Sequence, residues 1–152
     1  METVVDEIRR AAETLAFSPS ELRELPAEES EAVFRAALER FVASGDRRWW
    51  WEDFRSSGES VHFPAGDGWR HLVQVAPNAD EQVWFIVEED HLLHYPVYET
   101  TVRHAIAVVG ECYGFEFYLV AKDLSWLLCE THHDVVCAVG EAVERRLLNH
   151  AP

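Results

Sequence analysis

Apolar positions along this chain switch repeatedly between helical and alternating spacing. Val4, Val5, Ile8, Ala11, Ala12 and Leu15 share one helical face, predicting an amphipathic helix over residues 2–16. Ser18-Pro19-Ser20-Glu21 has a capping serine, a proline at the first helical position and a glutamate three residues on, which predicts a further short helical turn stopping near Pro26. Val33, Ala36, Ala37, Leu38, Phe41 and Val42 mark a longer helix that Gly45 is placed to end. Residues 47–68 show no period and hold Gly58, Pro64, Gly66 and Gly68, as an irregular connection would. Residues 69–75 and 82–88 are rich in strand formers and flank Pro77-Asn78-Ala79-Asp80, predicting an antiparallel hairpin. After Pro96, the positions Tyr98, Val102, Ala105, Ile106 and Val109 are helical in spacing, with Glu99 and Arg103 set as an i,i+4 pair. Residues 115–139, FEFYLVAKDLSWLLCETHHDVVCAV, then read as three short apolar strands separated by two polar turns. Gly140 leads into a last helix with Val143 and Leu147 inward.

This order predicts an α+β fold: a largely antiparallel sheet of about five strands with helices packed on one face. At 152 residues the chain is one domain, with a helical part at 2–45, an irregular connection at 46–68, a sheet-forming part at 69–139 and a C-terminal helix at 140–149. Apolar residues make up 48% of it, enough to build a core. No apolar run approaches the ~20 residues that span a bilayer. The start, METVVDEIRR, lacks the basic opening and apolar block of a signal peptide, so a cytoplasmic protein without a membrane partner is expected.

Charge narrows the partners. Twenty-eight acidic residues against thirteen basic ones give a net charge of −15, which argues against nucleic acid and favours a protein with a basic surface. The acidity is concentrated in the last half, notably at Glu88, Glu89 and Asp90. Cys112, Cys129 and Cys137 form no CxxC pair and read as reduced thiols, with Cys129 and Cys137 able to face each other across a hairpin.

Chemistry-bearing residues gather in three places. Glu130, His132, His133 and Asp134 crowd one turn and supply the ligand types of a Zn or Mn site, although their spacing is neither HExxH nor a Cys/His finger. His91 and His94 follow the acidic run and are candidates to join that group. Arg47, Arg48, Trp49, Trp50 and Trp51 combine the residue types that dominate interface hot spots. No helix or strand sends three successive side chains inward, so at least one tryptophan should reach the surface. Trp84, Tyr95, Tyr98 and Trp126 offer aromatic walls for a small-ligand pocket or ordinary core packing. There is no GxSxG, P-loop or GxGxxG, and Cys129 sits in an apolar strand that makes a thiol inert.

The segment FEFYLVAKDLSWLLCETHHDVV resembles the C-terminal signature of an uncharacterised family of small acidic bacterial proteins, with VWFIVEE and PVYETTVRHAI extending the likeness over the last half. That resemblance implies family membership and no activity. The layout of leading helices, hairpin, helix and C-terminal meander is also similar to Smi1/Knr4-like immunity domains, which implies neutralisation of a toxin by binding. The expectation is therefore a bacterial protein-binding domain, immunity-type or regulatory, working without catalysis or cofactor. Its contacts would come from Trp49, Trp50, Trp51, Glu88, Glu89 and Asp90. The alternative is a metal-dependent hydrolase or metal-binding domain centred on Glu130, His132, His133 and Asp134.

Overall fold

The computed structural model describes residues 2–152. Among these residues, seven strands form a single antiparallel sheet in the order β1-β4-β3-β5-β6-β7-β2. They are β1 (Leu22–Glu24), β2 (Glu59–His62), β3 (Gln82–Val87), β4 (Val97–Thr101), β5 (Phe117–Ala121), β6 (Leu127–Glu130) and β7 (Val135–Val139). Five helices accompany them: α1 (Val4–Thr14), α2 (Ala27–Phe41), α3 (Gly68–Val75), α4 (Val102–Gly110) and α5 (Glu141–Asn149). The fold is α+β and antiparallel as expected, with seven strands instead of about five.

Helices cover both faces of the sheet, not one. Val83, Phe85, Phe117, Leu119, Leu128 and Val136 point to the side covered by α1, α3, α4 and α5. Their strand neighbours Ile86, Tyr118, Val120, Leu127 and Cys129 point the other way, onto Phe34, Ala37 and Phe41 of α2 and onto Trp50. A side-chain period of two splits each central strand between two cores. That is why FYLVA is buried at every position, where a half-solvated strand would alternate.

Local chemistry explains the remaining differences. Residues 69–75 are helical: the buried positions Gly68, Leu72 and Val75 have helical spacing, and packing against the sheet overrides their strand propensity. Tyr98 belongs to β4, and α4 starts only at Val102, capped by Thr101 Oγ1 accepting the His104 N–H at 3.1 Å. Glu99 consequently faces Arg23, at 3.0 Å, and Lys122, while Arg103 pairs with Asp80 at 2.8 Å. Ser18 and Glu21 do bond as in a capping box, yet the chain turns into β1 instead of a helix. The presumed irregular connection contains β2, on the opposite edge from β1. Gly58, at φ +59°, lets the chain enter β2 where a Cβ would lie 2.1 Å from the Ala138 carbonyl oxygen.

Candidate functional site

The β6–β7 turn, Thr131-His132-His133-Asp134, is fixed by its own backbone. The Asp134 N–H donates to the Thr131 carbonyl at 3.1 Å, and Asp134 takes the left-handed conformation at φ +61° that closes a three-residue hairpin loop. Thr131 Oγ1 accepts the His133 N–H at 3.1 Å. Glu116, just ahead of β5, holds His132 twice: its Oε1 accepts the backbone N–H at 3.2 Å and stands 2.8 Å from the ring Nδ1. Both imidazoles are exposed, with ring centroids 4.2 Å apart.

The three tryptophans divide their roles. Trp49 is left-handed (φ +51°), uncommon for a bulky residue, and starts a 3₁₀ turn at Trp50–Glu52. This twist drives Trp50 inward, where it is 0% exposed and stacks on Tyr118 at 4.2 Å and 13°. The Trp50 backbone N–H donates to the Tyr118 hydroxyl at 3.1 Å, and its indole N–H donates to the Arg47 carbonyl at 2.9 Å. Trp50, expected at a contact surface, is therefore a core residue. Trp49 and Trp51 stay half-buried and stack on each other at 6.0 Å.

Those two rings meet the histidine turn. His132 lies 5.3 Å from both Trp49 and Trp51, and His133 lies 5.8 Å from Trp51. Two groups read as rival sites in the sequence thus form one surface at one end of the sheet. The acidic run adjoins it. Glu88 Oε1 accepts from the Tyr95 hydroxyl at 2.9 Å and from the Trp49 N–H at 3.4 Å, and burial pushes its carboxyl above the usual range. Glu89 caps the His91 N–H at 3.2 Å. Arg47 donates to the carbonyls of Asp90 at 2.8 Å and Leu93 at 2.9 Å, tying residues 88–95 to the tryptophan loop. That leaves Leu92 and Leu93 in solvent, Leu93 86% exposed.

Beyond His132 the surface dips into a cleft of about 450 Å³. Glu116, Glu130, His132 and Asp134 line it, together with Trp69, Tyr113, Phe115 and Phe117. Glu130, half-buried at the end of β6, accepts the Trp69 N–H from the start of α3 at 3.1 Å. Gly68 permits this approach, since a Cβ there would sit 2.8 Å from Glu130 Oε2. Burial first, then the charges of Asp134, Glu116 and Asp67, push Glu130 up to about 7. Cys112 also lines the cleft, but burial pushes its thiol up to about 11, out of nucleophilic range.

Glu130, His132 and Asp134 thus share a cleft, with His133 on the aromatic side. Among the described residues no group of three or more His, Cys, Asp or Glu is arranged to hold a metal ion. His94 packs against Phe34 at 6.5 Å, and His91 lies exposed on its loop. Tyr95 and Tyr98 are core residues on opposite faces, so they do not wall one pocket with Trp84 and Trp126. Cys129 and Cys137 are cross-strand partners and free thiols. Sequence reasoning missed Glu116, Trp69 and Tyr113. A signal existed for Glu116, a lone carboxylate inside the aromatic run FEFY.

The arrangement defines an α+β protein with a sheet buried on both faces and one aromatic, acidic surface at its end. Among the described residues no helix is long and apolar enough to cross a membrane. The chain belongs to the DUF6756 family, described as a family of unknown function, whose model matches residues 1–151. An uncharacterised family was expected from the last half alone, and the match takes in the helical N-terminal part as well. No curated protein and no solved structure gave a significant match.

Proposed function

We propose that the chain is a protein-binding domain, of the immunity or regulatory kind, that acts by contact and not by catalysis. Its contact surface comprises Trp49, Trp51, His132 and His133, flanked by Leu92 and Leu93 on one side and the Glu116–Glu130 cleft on the other. The observation that carries this reading is the convergence of half-exposed tryptophans, exposed leucines and carboxylates at one end of the sheet. Large aromatic anchors beside charge are what interface hot spots are made of, and monomeric surfaces rarely cluster apolar groups without use. Arg48 stacks over Trp49 at 4.4 Å and is positioned to join the contact. With −15 net charge, the fitting partner carries a basic face.

The test is capture with matched variants. Wild type should retain one basic protein in a one-to-one complex, and added salt should slow association steeply. Trp49→Ala/Leu93→Ala should lose that protein while keeping its melting temperature, and Leu148→Ala, on α5, should retain it. Equal capture by all three would remove this surface from the account. The metal-dependent alternative keeps one supporting feature, the adjacent imidazoles of His132 and His133. Tight Zn²⁺ binding abolished in His132→Ala/His133→Ala would favour it.

A further inference from the structure

We propose that the cleft between Glu116 and Glu130 receives a single cationic group on a short apolar stem, an alkylguanidinium by preference. Resting on the protein-binding reading above, the source of that group is an arginine side chain of the basic partner.

The lining chemistry supports this. Three carboxylates, those of Glu116, Glu130 and Asp134, face the cleft, and no lysine or arginine lines it. One of these oxygens is held in reserve. Glu116 Oε1 is occupied by His132, whereas Oε2 is buried without a hydrogen-bond partner, on a side chain only 15% exposed. A buried acceptor left open is costly, and a planar N–H donor that draws Glu116 Oε2 toward the cleft would satisfy it. Glu130 spends its one protein contact on the Trp69 N–H. The remaining walls are Trp69, Tyr113, Phe115 and Phe117, faces suited to an alkyl stem and to a delocalised cation. Tyr113, at the rim, is 91% exposed. A volume of about 450 Å³ lies within the range of small-ligand sites.

Competing occupants fit less well. An anion would meet three carboxylates, and the helix-start N–H of Trp69 is already taken. A divalent metal needs a converging donor set that the described residues do not form. Cys112, the thiol of the lining, stays protonated and is no nucleophile.

A cation also answers the electrostatics. Glu130 is surrounded by like charges: Asp134 in the turn, Glu116 ahead of β5 and Asp67 before α3. Two arginines lie over rings of the wall without lining the cleft, Arg70 over Trp69 at 4.9 Å and Arg10 over Tyr113 at 5.9 Å. His71 is 3.4 Å from Asp67, and His132 is engaged by Glu116. A bound guanidinium supplies the missing positive charge, so binding should expel the proton that Glu130 holds near neutrality.

The experiment titrates ¹⁵N-labelled protein with butylguanidinium, with butylurea as the uncharged isostere, and with an Ac-Gly-Arg-Gly-amide peptide. Butylguanidinium should shift the Trp69 and His132 amides at about pH 8 and bind tenfold or more weakly at about pH 5.5, where Glu130 is protonated. Glu116→Gln and Glu130→Gln, near-isosteric and checked for unchanged spectra elsewhere, should each weaken it about tenfold at the higher pH. Butylurea should not bind. Equal binding of butylurea, or no amide shift from butylguanidinium, overturns the proposal while leaving the Trp49 and Leu93 test untouched. Binding of butylguanidinium but not of the arginine peptide overturns the partner side chain as the source and assigns the cleft to a free small cation.

Discussion

Replacing Glu130 by glutamine should make the protein more stable near pH 8 and no more stable near pH 4. The carboxyl rises from its ordinary 4.5 to about 7 in the folded protein, because burial and three neighbouring carboxylates oppose its charge. A raised acid binds more protons folded than unfolded, so its charged form costs stability as pH climbs through 4.5 to 7. The 2.5-unit difference corresponds to about 3 kcal/mol at 1.36 kcal/mol per unit. Glu130 opens onto a solvent-filled cleft, and screening reduces this to about 1–2 kcal/mol. Glutamine stays neutral and keeps an oxygen to accept the Trp69 N–H, so the gain should survive the substitution. Urea unfolding of both proteins, followed by tryptophan fluorescence, isolates the effect as the difference between their stabilities at each pH. Other carboxylates titrate alike in the two proteins and cancel. A variant equal to or weaker than wild type at pH 8, with the same gap at pH 4, would refute the reasoning.

Three further outcomes follow from the geometry. Trp50→Ala should cost about 3–5 kcal/mol in urea unfolding, because it empties a fully buried site against Tyr118 and Phe34; a loss below about 1 kcal/mol would contradict its core role. Gly58→Ala should cost about 1–3 kcal/mol and speed hydrogen exchange along β2, since the new Cβ strikes the Ala138 carbonyl and φ is positive. Arg47→Ala should free residues 88–95, read as faster proteolysis at Leu92 and Leu93 with little change in global stability.

What could be read from the sequence was whatever depends on near neighbours. The meander from β5 to β7, α1, α2 and α5 follow from periodicity, and the cross-strand pairing of Cys129 with Cys137 follows from the hairpin. The edge strands β1 and β2 are short and half-exposed, with too few residues to show a period. α3 carries strand-forming side chains in a helix because the sheet face needs Leu72 and Val75 on one side. The unbroken apolar runs of β5 and β6 were themselves the sign of a sheet buried on both faces. At the site, the tryptophan triplet and the histidine turn were each visible, but their contact joins residues about eighty positions apart and has no local signal. The left-handed Trp49 that sorts the three rings is likewise a product of tertiary packing.

The most direct test of the contact surface is site-specific photocrosslinking in the cells of origin. A photoreactive residue at position 49 or 93 should yield one discrete adduct with a basic protein, and the same residue at position 148 on α5 should yield none. Adducts of equal strength from all three positions, or from position 148 alone, would contradict the account.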